Sequence, residues 1–198
     1  MLQAMDALHS LSEMVDITTS SAFRGRESAL PSGPTPFVTY SSTSRETGIV
    51  WEDVPSVDLP VKRKPKTLKH GDILFASRGA RTFAHLVDTP PDGAVGSSLF
   101  FLVRPLSGLI VPGYLAWFIN QPPAQRYFVQ KASGVAVRSV TKNALGSLQV
   151  PLPSIERQRL FADYAESARR LRANLTTQIQ NSFKQDAALA ARLLEDAA

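Results

Sequence analysis

The residues best suited to chemistry in this chain are cations, and they cluster. Between Val61 and Arg81 stand Lys62, Arg63, Lys64, Lys66, Lys69, Arg78 and Arg81 against one acid, Asp72. Further cations sit beside glycine or hydroxyl residues: Arg24 and Arg26 flank Gly25, Arg45 follows Ser41-Ser42-Thr43-Ser44, and Arg138 precedes Ser139 and Lys142. Ammonium and guanidinium groups neutralise phosphates whatever the sequence, whereas an arginine held at a fixed angle can donate two hydrogen bonds to one guanine edge. The chemistry on offer is recognition of a polyanion such as a nucleic acid. The candidate DNA-binding residues are Arg24, Arg26, Ser41, Arg45, Lys62, Arg63, Lys64, Lys66, Arg78, Arg81, Arg138, Ser139 and Lys142. Arg78 and Arg138 are the expected base readers, because each adjoins a short glycine- or serine-containing segment instead of a diffuse run. The competing reading of the basic run is a solvated edge whose charges keep a sheet from pairing with neighbours.

Catalytic constellations are missing by comparison. The chain has no cysteine, which removes disulfides, thiolate metal sites and cysteine nucleophiles. No glycine-rich loop ends in Lys-Ser/Thr, and Asn120-Gln121-Pro122-Pro123 is not the Asn-Pro-Pro-aromatic element with which amino-methyltransferases grip a target base. His9, His70 and His85 lack metal-ligand spacing, and Asp72 and Asp92 lie in turn contexts where carboxylates cap backbone N–H groups. The expectation is a binding protein with no catalytic residue, no metal and no cofactor of its own.

Positioning these cations requires a core, and 198 residues with 43% hydrophobic content can bury one. The net charge is +5 and the pI about 9.7. The excess sits in the first part of the chain, since from Ile155 onward seven Lys/Arg nearly balance six Asp/Glu. Proline and glycine also stop at the stretch Leu148–Gln158, so residues 1–153 are expected to form a DNA-reading head and residues 154–198 a long spacer and dimerisation helix. No run is apolar enough to span a bilayer and the start lacks a signal-peptide pattern, which predicts a soluble, cytoplasmic protein without a membrane partner.

The head patterns as α/β (α+β) with a mixed sheet. Met1–Val15 has apolar residues at helix-like spacing, whereas Thr18–Arg26 and Pro31–Pro36 are expected to be loop. Phe37–Tyr40 and Gly48–Trp51 pattern as short strands, Ile73–Ala76 as a buried strand entered by the turn His70-Gly71, and Leu99–Val103 as a central strand. A helix opens at Pro112, is interrupted at Pro122-Pro123 and resumes to Lys131, its aromatics serving packing. Ser133–Val140 is a glycine-led alternating segment, and Thr141 is the expected N-cap of a short helix.

Pro151 and Pro153 hold the junction extended, Ser154 can cap the final helix and Glu156 suits its first turn. Within that helix Leu160, Tyr164, Ala168, Leu171, Leu175, Ile179 and Phe183 recur every three or four residues, followed by Ala190 and Leu193. A lone helix cannot keep such a stripe dry, and some forty residues at 1.5 Å each reach roughly 60 Å, more than the head needs for its own packing. A coiled-coil-like pair, parallel or antiparallel, is expected. It is intermolecular unless Met1–Val15 covers part of the stripe.

The order of these features resembles the target recognition domain of the DNA-specificity subunit of type I restriction-modification systems, followed by one of its spacer helices. The match is carried by Leu68-Lys69-His70-Gly71-Asp72-Ile73-Leu74-Phe75 with Arg78-Gly79, by Ile110-Val111-Pro112-Gly113-Tyr114-Leu115, by Ser133-Gly134, and by Leu145–Leu148 leading to Val150-Pro151-Leu152-Pro153 and Glu156-Arg157-Gln158. A full subunit of that family has two such domains, each reading half of a bipartite site, with two helices as the ruler between them. The resemblance therefore implies a half-subunit working as a homodimer, paired with another half, or left as a remnant. It also implies a separate methyltransferase subunit that carries S-adenosylmethionine and, through it, a restriction subunit that uses ATP and Mg. The rival reading from the sequence is a protein–protein adaptor that uses the C-terminal helix without specific DNA binding, and a stand-alone nuclease is a third.

Overall fold

A computed structural model describes residues 7–20, 31–44, 47–59, 66–79, 82–106, 108–134 and 139–195. Its strands are β1 (Leu8–Ser10), β2 (Val15–Thr19), β3 (Ser32–Val38), β4 (Thr43–Ser44), β5 (Gly48–Ile49), β6 (Ser56–Val57), β7 (Ile73–Ala76), β8 (Ala84–Leu86), β9 (Val95–Gly96), β10 (Phe100–Pro105) and β11 (Gln149–Pro151). Its helices are α1 (Pro112–Ile119), α2 (Pro122–Lys131), α3 (Lys142–Gly146) and α4 (Ile155–Glu195). The fold is mixed α+β.

The centre is an antiparallel sheet in the order β2-β10-β7-β8. Strand side chains alternate between faces, and here both faces are covered. Ile73 and Phe75 of β7 and Val103 of β10 join one cluster with Tyr114, Leu115, Ile119, Phe128 and Leu145 from the helices. Leu74, Ala76, Phe100 and Leu102 face the other way, onto Val38, Leu68, Phe83 and Val87. That is why Ile73–Ala76 and Leu99–Val103 are continuous apolar runs. A second sheet, β6-β3-β9, and the β4–β5 hairpin complete the head.

Four expectations are corrected. The Met1–Val15 periodicity is not helical in its described part: Leu8–Ser10 pairs with β11, Leu11–Glu13 is a 3-10 turn, and β2 starts at Val15. Leu11, Met14 and Val15 are buried in the core all the same. Thr18 and Thr19, expected as loop, belong to β2, paired with Leu102 and Phe101, and the expected loop beyond Ser20 lies outside the described residues. Ser32–Pro36, expected as loop, is the start of β3, the central strand of its sheet. The prolines fit because β9 reaches only Phe37 and Val38, so Pro34 and Pro36 have no neighbour on that side to require an N–H. The register slips by a bulge between Ser32 and Thr35, and a Cβ on Gly33 would collide with the backbone of Val57 and Asp58. On the C-terminal side, the strand expected over Gly48–Trp51 ends at Ile49, where Trp51–Asp53 turn into a 3-10 helix.

The turn before β7 is held by a buried carboxylate. Asp72 is 2% exposed; its Oδ2 accepts from the Lys69 N–H at 2.7 Å, and both oxygens accept from Arg104, Nε and Nη2 each at 2.7 Å. The backbone-capping role expected of Asp72 is present, with a bidentate arginine added. The hydrogen bond to Asp72 raises the Arg104 pKa above its ordinary value.

The head holds the first turns of α4 at two places. Phe161 stacks on Trp117 of α1 at 4.8 Å and 16°, Gln158 is 1% exposed with its Oε1 accepting from the Val111 N–H at 2.9 Å, and its Nε2 donates to the Pro153 carbonyl at 2.9 Å. Gly113 permits this close crossing, since a Cβ there would lie 2.9 Å from Ala162 Cβ. Further along, Arg169 Nη1 donates to the Thr47 carbonyl at 2.8 Å. The Ser154 hydroxyl accepts from the Arg157 N–H at 3.4 Å, as an N-cap does. Among the described residues no helix is long and apolar enough to cross a membrane.

Candidate nucleic-acid interface

The candidate interface is built where β7 leaves the central sheet. Ser77 is buried, donates its N–H and its hydroxyl to the Leu99 carbonyl at 2.9 Å each, and accepts from the Val140 N–H at 2.9 Å. The next residue, Arg78, is exposed and pairs in an antiparallel bridge with Ser139. Ser139 in turn exchanges two backbone hydrogen bonds with Ser133, at 2.9 and 3.1 Å. Ser133, Ser139 and the exit of β7 are thus one hydrogen-bonded unit, which fixes the backbone beneath the exposed Arg78.

The Tyr40–Ser41 turn packs on this unit at Gly79. Its φ is +132°, a conformation that suits glycine, and a Cβ there would meet the Tyr40 ring at 3.2 Å. Tyr40 is held by Phe83, ring centroids 5.1 Å apart, and the exposed Ser41 follows it. Ser41 Oγ lies 2.9 Å from Thr39 Oγ1 within a Thr39–Ser42 hydroxyl network. The entry to β8 is tied as well: the Thr82 hydroxyl donates to Gln125 Oε1 at 3.3 Å, and the Asn120 side chain bonds both the N–H and the carbonyl of Ala84.

Among the sequence candidates, Ser41, Arg78 and Ser139 are therefore brought together at the Ala76/Phe100 end of the sheet. Lys66 and Lys142 are not. Lys66 Nζ pairs with Asp16 Oδ2 at 3.3 Å, and Asp16 faces Arg104, at the opposite end of β10. Lys142 opens α3 and lines a shallow cleft with Asp16, Asn143 and Ser147. Arg24, Arg26, Arg45, Lys62, Arg63, Lys64, Arg81 and Arg138 lie outside the described residues. Thr141 caps α3 as expected, its hydroxyl accepting from the Ala144 N–H at 3.1 Å.

The dimerisation candidates form a face the head does not cover. Leu160, Tyr164, Leu171, Leu175, Ile179 and Phe183 are each between 48% and 69% exposed, Leu193 is 71% exposed, and Ala168 is partly covered. Leu160 and Tyr164 remain exposed beside Phe161 and Ala162, which do dock, so the stripe and the head-facing side are different faces of one helix.

Sequence reasoning missed the residues that set these parts in place: Ser133, Arg104, and the trio Glu166, Arg169 and Arg170. Glu166 accepts from Arg169 Nε and Nη2 at 2.8 Å each and from Arg170 Nε at 2.6 Å. The Arg169 hydrogen bonds, more than those of Arg170, hold its carboxylate below the ordinary range. The spacing of the trio along α4 is a readable signal of ion pairing. Its long-range attachment to Thr47 leaves no local trace.

No protein-family model matches the chain, and no curated protein matches its sequence. Solved structures do match in fold. The S subunit of a type I restriction-modification system from M. genitalium superposes with a TM-score of 0.61 at 14% identity, over 90% of this chain and 42% of that one. A chain from a structure of complex assembly and conformational transition in the type I system gives 0.59 at 17% identity, over 95% and 44%. The HsdS subunit from Thermoanaerobacter tengcongensis gives 0.52 at 18%, over 89% and 40%. The fold class is that of type I restriction-modification S subunits. Within it, this chain spans less than half the length of the chains it matches.

Proposed function

We propose that the chain is a DNA-specificity module of a type I restriction-modification system, in which one head binds half of a bipartite duplex site. The S-subunit fold over about 90% of the chain is the observation that carries this reading. Loop chemistry supports it: Arg78 on a backbone bridged to Ser139, with the Ser41 turn alongside, offers directed donors for base edges, and the remaining lysines and arginines supply phosphate contacts. The module is not itself an enzyme. It directs a separate methyltransferase subunit, which carries S-adenosylmethionine, and through it a restriction subunit that uses ATP and Mg.

The module acts as a homodimer through the exposed stripe of α4. Charge favours an antiparallel pair centred on Ile179: Arg172 and Asp186 each lie seven residues from that centre and would face each other twice, whereas a parallel pair in register sets like against like. Leu175 and Phe183, each four residues away, then meet in the seam.

The test is binding of the purified chain to duplex DNA, by gel shift or filter binding, across a series of salt concentrations. Counterion release demands that affinity fall steeply as salt rises. A flat response would return the basic head to the adaptor reading, and Mg-dependent cleavage by the chain alone would make it a nuclease.

A further inference from the structure

We propose that Arg169 is a positioning residue that locks α4 to the β4–β5 hairpin, fixing the angle at which the helix leaves the head and so the gap between half-sites. The second half of this statement rests on the specificity-module reading. The first half stands on contacts alone. One guanidinium is used on both sides: Nη1 donates to the Thr47 carbonyl at 2.8 Å, while Nε and Nη2 are held by the two oxygens of Glu166, one helical turn back. Gly48, with φ +82°, presents backbone to the arginine stem, whose Cδ lies 3.7 Å from where a Cβ would stand. The hairpin is itself tied, the Thr47 N–H and hydroxyl both reaching Ser44 Oγ at 3.0 Å.

The route onward leads to the candidate interface. Thr43 N–H and hydroxyl bond the Tyr40 carbonyl at 3.4 and 3.0 Å, and the Tyr40 ring is the surface on which Gly79 packs, next to Arg78. The helix is therefore attached to the head at Gln158–Ala162 by packing on α1 and at Arg169 by a polar clamp. One attachment would leave a hinge; two separated along the axis define a direction. The lever is long. From Phe161 to Ile179 the helix rises about 27 Å, so a swing of only about 10° at the docking site moves the dimer centre by about 5 Å, more than one base-pair rise of about 3.4 Å. A clamp of this kind governs which gap is accepted while leaving the half-sites untouched.

The experiment uses the full-length chain, which has no native cysteine. Cysteines at Asp92 on an exposed turn and Lys184 on the free part of α4 carry nitroxide labels, with excess unlabelled protein added so that each labelled copy reports on itself. Double electron–electron resonance on the parent gives one narrow distance. Arg169→Ala broadens that distribution by several ångströms. Glu166→Gln, which keeps the arginine but removes the carboxylate that orients it, broadens it less and serves as the second variant if Arg169→Ala folds poorly. In parallel, selection from a randomised duplex library returns the same half-sites for parent and variant, with one gap for the parent and several for the variant. An unchanged distance distribution in both variants overturns the clamp. Broadening in a protein that selects no DNA in either form leaves the clamp standing and overturns the reading on which the gap depends.

Discussion

The two attachments of α4 determine where its length can be changed. Residues inserted directly after Gln158 would separate it from Phe161 and Ala162 and undo the docking on α1, so a clean insertion lies beyond the clamp, between Arg170 and Leu171. Eleven residues make three helical turns and preserve the phase of the stripe. They lengthen each helix by about 16 Å, and in an antiparallel pair centred on Ile179 the two heads move apart by about 33 Å. That is close to one turn of DNA, about 34 Å, so both heads meet the same face of the duplex again. Library selection should return unchanged half-sites with a gap longer by about 10 base pairs. A seven-residue insertion separates the heads by about 21 Å, roughly 6 base pairs, which turns the second half-site to the other side, and tight binding should fail. Altered half-sites in the eleven-residue variant, or an unaltered gap, would refute the division of labour between head and helix.

Other expectations are narrower. Arg78→Ala should weaken binding to the selected site by about 1 to 3 kcal/mol while changing binding to random duplex little, as measured by competition; equal weakening of both would make Arg78 a phosphate contact. Asp72→Asn should lower the urea unfolding free energy by about 3 kcal/mol, because Arg104 and the Lys69 N–H lose the carboxylate they share; a change within experimental error would mean the turn is held by other contacts. Glu166 has its pKa lowered by Arg169, so its contribution is present above the ordinary value of 4.5 and is lost as pH falls through the lower folded value. Melting temperatures of the parent and Arg169→Ala should accordingly converge as the pH is taken well below 4.5, and a gap that widens in acid would contradict the assignment. Phe183→Glu should leave the head folded and reduce the sedimenting species to the 21.6 kDa monomer, whereas a mass already monomeric in the parent would remove the homodimer.

What was legible in the sequence was whatever depends on near neighbours. Ile73–Ala76 and Leu99–Val103 announce strands covered on both faces because every position is apolar, and Thr141 and Ser154 announce helix starts because a hydroxyl there has an obvious N–H to receive. The spacing of Leu8, Leu11, Met14 and Val15 misled because a strand, a 3-10 turn and a second strand can bury the same side chains that a helix would. Pro34 and Pro36 argued against a central strand, yet β9 is too short to contest those positions. The candidate interface was visible as residue types and invisible as an assembly. Arg104 finds Asp72 across 32 residues of sequence and Arg169 finds Thr47 across 122, and no local pattern encodes such pairings. Lys66 looked like its basic neighbours and is paired with Asp16 instead.

The most direct measurement of the central claim is selection of bound duplexes from a randomised library by the purified chain, followed by sequencing. Two-fold symmetry of the proposed dimer predicts two identical half-sites in inverted orientation, separated by a fixed number of unspecified base pairs. Recovery of a library no richer in any motif than its input would contradict it.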